Sequence, residues 1–210
     1  MSLKELLEKI QDEVKQREEA RQEVQADARS ATRLSKMAIL RVHQKRFDEA
    51  ENMLQETRDL FSKISESSKR NIELLYSGMV EAAYQEYSEA CIFLKLVKED
   101  RFAGFEEIGA PPSAYILGLA DVIGELRRKV LDSLRENESS LAEKYLEIMD
   151  LIYTELMGMG DAYFLLAGLR RKCDVARKII ESTRGDVTIE MRRRSLEDSV
   201  QRLKETLEER

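Results

Sequence analysis

Residues 114–126 read AYILGLADVIGEL, and Asp121 and Glu125 are the only charged residues in the stretch. A helix this apolar on nearly every face is normally buried. The two acids are four positions apart, so they share one helical face and project two carboxylates to the same place. Burying unpaired carboxylates is costly or forces their protonation, so such a pair needs a cationic partner or a metal.

A second stretch repeats the arrangement. Residues 79–94, MVEAAYQEYSEACIFL, carry Glu86 and Glu89 one turn apart, with Ala82 and Ala83 before them and Ala90 and Cys91 just after. Small residues let another helix approach closely, and Ala114 and Gly118 play the same part beside Asp121. Many Glu pairs in an acidic chain are only solvated helix surface; the small, apolar surroundings set these two apart. If the helices cross there, four carboxylates converge. All-oxygen ligation suits Mg²⁺ or Mn²⁺ rather than Zn²⁺ or Cu²⁺. The di-iron bundle pattern requires Glu-x-x-His, and the only histidine, His43, is distant in sequence, which disfavours that oxidation chemistry.

Outward from these motifs, the 210-residue chain has 9 glycines and 2 prolines, the adjacent Pro111 and Pro112. Strand signals are nearly absent, and apolar residues recur at three- and four-residue spacing, so the chain is predicted to be almost entirely α-helical. The pattern predicts a first helix from Leu3 to about Val42, about 60 Å long at the helical rise. Its stripe is Leu6, Ile10, Val14, Leu34, Met37 and Leu40. Asp48 is the expected N-cap of a second helix ending near Ser67. Further helices are expected over Lys69–Leu75, Val80–Glu99, Ser113–Arg135 and Leu141–Leu156. RFAGFEEIGAPP (101–112) reads as a loop, ENESS (137–140 with Glu136) as a turn, and MGMGD (157–161) as a break. A seventh helix is expected to reach Arg184, where RGD interrupts, and Leu196, Val200, Leu203 and Leu207 mark a terminal heptad-like helix. One domain over 1–210 is expected, with 187–210 as a C-terminal helical extension.

No apolar run approaches the length that spans a bilayer, and the charged start MSLKELLEKIQDEVKQREE is unlike a signal or transit peptide, so no membrane role and a cytoplasmic location are expected. Cys91 and Cys173 have no metal-like spacing and read as reduced, packed thiols.

QEYSEA (85–90), YILGLADVIGEL (115–126) and LRRKCDVARKIIESTRGD (169–186) together resemble translin and, more closely, translin-associated factor X (Trax), including its prokaryotic relatives. The order and spacing of the segments match, over roughly Glu18 to Asp186, and the last two dozen residues depart from the pattern. The resemblance implies an all-α, seven-helix translin-type bundle that assembles into a hollow octamer enclosing single- or double-stranded RNA. Trax-type subunits act as metal-dependent endoribonucleases, whereas translin lacks the full acidic set. Here Glu86 and Glu89 fall on the first acidic motif and Asp121 and Glu125 on the second, which places the chain on the catalytic side. Glu89, Asp121 and Glu125 are then expected to contact Mg²⁺ or Mn²⁺. Glu86 is either a further ligand or an acid that positions the attacking water.

A nuclease also needs cations for the phosphate backbone. Between Ala28 and Phe47 lie Arg29, Arg33, Lys36, Arg41, Lys45 and Arg46 and no acid, and Arg29, Arg33 and Lys36 share a face. Arg17, Arg21, Arg127 and Arg128 are further RNA-binding candidates, with Lys129 beside them. The net charge of −6 argues against a broadly basic RNA binder, but a closed assembly can turn basic patches inward. Two other readings stay open: an all-α, Mg²⁺-dependent nucleotide pyrophosphohydrolase, and a catalytically inert RNA-binding scaffold. Tyr84 and Tyr87 are expected to pack rather than stack on bases, and His43 to lie at a helix end on the surface.

Overall fold

The computed structural model describes residues 2–208. Helices α1 (Leu3–His43), α2 (Phe47–Ser67), α3 (Gly78–Glu99), α4 (Phe105–Ile108), α5 (Pro112–Arg135), α6 (Ser139–Met157), α7 (Asp161–Leu165) and α8 (Leu169–Glu208) follow in order, with a 3₁₀ turn at Ile72–Tyr76. No strand occurs among the described residues. The chain folds as two compact units, Met1–Gly118 and Leu119–Arg210.

In the first unit, α1 packs on α2 and α3. It opens with a capping box: the Glu5 amide donates to Ser2 Oγ at 3.3 Å while the Ser2 amide donates to Glu5 Oε2 at 2.7 Å. This satisfies amide groups that a helix start otherwise leaves unpaired. The buried face of α1 is Val24, Ala28, Ala31, Ser35, Ala38 and Val42, mostly small side chains that let α2 and α3 come close. The expected stripe is therefore corrected. Leu6, Ile10, Val14 and Leu40 are exposed, and Leu34 and Met37 are only partly covered. Helix α2 buries Ala50, Leu54, Thr57, Phe61 and Ile64. Its N-cap is Arg46, without a side-chain cap, and the expected cap Asp48 lies inside the first turn. There its carboxylate still favours the positive end of the helix dipole.

Helix α3 is the most buried element, with an unbroken run from Tyr87 to Leu94 below the surface. It ends at Asp100, whose left-handed φ of 55° stops the helix. The expected loop 101–112 contains the single turn α4, closed by Gly109 at φ 69°. Pro112 rather than Ser113 begins α5, a position where the missing proline amide costs nothing.

In the second unit, α6 packs on α8. The contact face of α6 is Ala142, Tyr145, Met149, Ile152 and Leu156. On α8 the buried residues are Leu169, Cys173, Ala176, Ile180, Thr183 and Val187. Helix α5 ends in a Schellman-type turn at Asn137, φ 66°, where the Glu138 amide reaches Ser133 O at 2.8 Å and the Asn137 amide reaches Leu134 O at 3.2 Å. The RGD segment does not interrupt α8. Arg184 donates to both Asp150 oxygens at 2.7 and 2.8 Å, and Arg127 donates to Thr183 Oγ1 at 2.7 Å and Asp186 Oδ2 at 3.1 Å. These contacts, with Val187 buried, outweigh the roughly 1 kcal/mol that a mid-helix glycine costs. Beyond them Ile189, Leu196, Leu203 and Leu207 are exposed. No described helix is long and apolar enough to cross a membrane.

Candidate metal and RNA site

The first acidic motif lies on the buried stretch of α3. Glu89 is 9% exposed, while Glu86, one turn earlier, is more open and receives Lys36 Nζ from α1 at 3.2 Å. The helix is held at this level by aromatic packing. Tyr84 stacks on Phe61 with ring centroids 3.7 Å apart, and Tyr87 meets the same ring edge-on at 5.4 Å. The Tyr87 hydroxyl donates to Ile108 O at 3.1 Å and accepts from Arg58 Nε at 3.3 Å. Both tyrosines thus belong to the packing, as expected, and burial pushes both hydroxyls above the ordinary phenol range. Cys91 follows one turn after Tyr87; burial pushes its thiol up to about 12, so it stays protonated and unreactive.

Gly118, near the start of α5, explains how the small-residue reading works. A Cβ at this position would lie 2.7 Å from Gln85 O, 2.8 Å from Glu89 N and 2.8 Å from Ser88 Cβ. Two of these neighbours are backbone atoms, so only glycine lets α5 press onto the turn of α3 that carries Glu86 and Glu89. Ala114, one turn earlier, is also buried.

The second acidic motif begins three residues further along α5. Asp121 is partly buried, and both of its oxygens accept from Lys172 Nζ on α8, at 2.5 and 2.6 Å. Glu125 lies one turn on, partly exposed. The expectation that Asp121 needs a cation is met by a lysine that the sequence reading quoted but gave no role. The signal was there: the RRK run of residues 170–172 is the basic segment that opens α8.

Among the described residues no group of three or more His, Cys, Asp or Glu side chains forms a metal-holding cluster. Each motif supplies a pair of carboxylates, and in each pair the leading acid holds a lysine. The carboxylate oxygens of the two motifs are hard donors, of the kind that suits an oxygen-preferring divalent cation such as Mg²⁺ or Mn²⁺. Both cysteines are free and buried. His43 ends α1 with its ring 4.8 Å from Phe93, so it is half-buried packing rather than open surface.

The basic candidates divide by what they touch. Arg17 pairs with Glu73 at 2.8 Å, and Arg21 with Glu18 at 2.6 Å. Arg127 is tied to Thr183 and Asp186, and Lys36 to Glu86. Arg29, Arg33 and Arg128 are exposed and make no ion pair among the described residues, which leaves their guanidinium groups available to phosphate.

The sequence profile of the Translin family matches residues 2–183. An uncharacterized protein of Methanocaldococcus jannaschii is 31% identical over 192 residues, 89% of this chain and 83% of its own. Among solved structures, the complex of AfC3PO with duplex RNA is similar at a TM-score of 0.78 and 31% identity, covering 90% of this chain and 97% of that one. AfC3PO alone is similar at 0.77 and 33%, covering 90% and 98%. Apo-NeC3PO follows at 0.77 and 25%, covering 88% and 96%.

Proposed function

Because this chain belongs to the translin family, we propose that it is a metal-dependent endoribonuclease that binds RNA inside an oligomeric shell. The observation that carries the reading is the pair of acidic motifs in partly or fully buried helix faces, with Gly118 giving up its side chain so that α5 can meet α3 at Glu89. A helix surface that merely solvates its acids has no such need for close approach. The complex of the relative AfC3PO with duplex RNA supports RNA as the ligand.

In this reading Glu89, Asp121 and Glu125 hold Mg²⁺ or Mn²⁺, and Glu86 is a further ligand or orients the attacking water through its carboxylate. The cation, when bound, lowers the pKa of that water and neutralises charge developing on the phosphodiester. Arg29 and Arg33, with Arg128, bind backbone phosphates and so position the scissile bond. Tyr84 and Tyr87 hold α3 in place and leave base stacking to other groups. The exposed apolar residues on the outer half of α1 (Leu3, Leu7, Val14) and on the end of α8 (Leu196, Leu203, Leu207) favour assembly of several copies, since contiguous exposed apolar surface marks interaction sites. A homo-octamer would scatter light as a particle near eight times 24.3 kDa.

The test is cleavage of an end-labelled RNA by the purified protein, with Mg²⁺, with chelator, and with Asp121→Asn beside the wild type. Mg²⁺-dependent cutting lost in the variant supports the nuclease and its site. Tight RNA binding with no cutting of single or double strands would instead make the chain an inert scaffold.

A further inference from the structure

The geometry points to Lys172 as a resident counter-ion that a divalent metal must displace from Asp121, so that the affinity of this site for metal is set by a lysine–metal exchange. The inference rests on the metal-site reading proposed above.

Lys172 Nζ sits 2.5 and 2.6 Å from the two Asp121 oxygens. The ammonium therefore fills the fork of the carboxylate, the face from which a chelating cation would bind. Divalent ions approach carboxylate oxygens at about 2.0–2.6 Å, so a metal in the same fork would lie almost on top of the ammonium. Two cations cannot share that position. The pair is also too sheltered to be incidental, with side chains 18% and 29% exposed, where an ion pair is screened less than on open surface. Lys172 comes from α8, 51 positions away in sequence, and its neighbours Leu169 and Cys173 are buried. Its backbone is fixed while its flexible stem can swing the ammonium away, a property that a shorter or planar cation lacks. The fold thus keeps Asp121 ionised and oriented before metal arrives, and surrenders that contact when it does.

Mn²⁺ binding is measured by calorimetry at constant ionic strength for wild type, Lys172→Met, Lys172→Arg and Asp121→Asn, with thermal melting in chelator and in excess Mn²⁺. Lys172→Met is expected to bind Mn²⁺ tighter by about threefold or more, the scale of one partly exposed ion pair. Lys172→Arg, which keeps the charge, is expected to bind no tighter than wild type, and Asp121→Asn to lose binding. In chelator Lys172→Met melts below wild type, and in excess Mn²⁺ the gap closes or reverses, because bound metal stabilises the native state according to its affinity. A lysine with only a structural role would leave the gap unchanged. If Lys172→Met does not fold, Lys172→Gln, which keeps a hydrogen-bond donor without charge, takes its place with the same expectations. Binding that Asp121→Asn loses but that removal of the lysine charge leaves equal or weakens overturns the exchange alone. Equal binding, or none, in wild type and Asp121→Asn overturns the metal-site reading and the exchange with it.

Discussion

The two acidic motifs are alike in composition and unlike in commitment. On α3, Glu86 meets Lys36 through a single 3.2 Å contact, and that lysine side chain is 61% exposed. On α5, Asp121 holds Lys172 through both oxygens, and that lysine is 18% exposed. An exposed pair contributes between nothing and about 1 kcal/mol, because water screens it and two long side chains lose freedom. A sheltered pair interacts more strongly, and removing one partner strands the other. Glu86 is therefore an acid the protein can release cheaply, whereas Asp121 is held in one place and orientation. That difference suits a water-positioning role for Glu86 and a ligand role for Asp121, within the function proposed.

The largest effect that tests this contrast is on cleavage. Asp121→Asn is expected to lower the rate of Mg²⁺-dependent RNA cutting about 10³-fold, equivalent to about 4 kcal/mol of transition-state charge stabilisation. Glu86→Gln is expected to cost about tenfold less, within the range by which general acid–base groups contribute. Single-turnover rates for both variants decide it: equal losses would break the comparison and make Glu86 a ligand of the same standing.

Next in size is the packing that brings α5 onto α3. Gly118→Val places side-chain atoms where Gln85 O and Glu89 N already stand at under 3 Å from even a Cβ. Backbone cannot yield as a flexible side chain can, so the cost is expected to be about 1–3 kcal/mol, several degrees of melting temperature at this chain length. Gly124→Ala, on the same helix with nothing within 4 Å of its Cβ position, is the matched control and is expected to be neutral or stabilising, as helix propensity favours alanine. Equal melting temperatures for the two variants would remove the close approach from the account.

The free cations give a smaller, salt-dependent signal. Arg29→Ala with Arg33→Ala is expected to weaken RNA binding uniformly across sequences and to reduce the slope of log affinity against log salt by about 1 per lost phosphate contact. Arg17→Ala, whose guanidinium is already paired with Glu73, is expected to change the slope less. An unchanged slope in the double variant moves the phosphate contacts elsewhere.

How far these features were legible follows from their range along the chain. The acid pairs, the glycine between helices and most helix boundaries are local, written in spacings of three and four residues. Three features were not. The buried face of α1 is built from Ala28, Ala31, Ser35 and Ala38, and hydrophobicity alone ranks Leu6 and Ile10 above them although both are exposed; what decides is how near α2 and α3 come. The continuity of α8 through Gly185 depends on Arg184 finding Asp150 and Arg127 finding Asp186, contacts that no local rule for glycine contains. The lysines of the two motifs come from 50 and 51 positions away, Lys36 to Glu86 and Lys172 to Asp121. That Asp121 needed a cation was readable, since a carboxylate in an apolar helix always does. Which cation was not, because several basic residues were equally placed by sequence.

The smallest expected effect bears on the opening contrast most directly. Lys36→Met removes a partner that is itself mostly in water and makes a single contact, so Glu86 loses little, and denaturant unfolding is expected to show a loss below about 1 kcal/mol. Lys172→Met removes a more sheltered ammonium that both Asp121 oxygens hold, and is expected to cost more than that in chelator, where no metal can take the vacated position. The two measurements share one chain, one mutation type and one instrument, so their difference measures how much more firmly the second lysine is held. Equal losses would mean that the second lysine is no more committed than the first, and the division of roles between Glu86 and Asp121 would lose its physical basis.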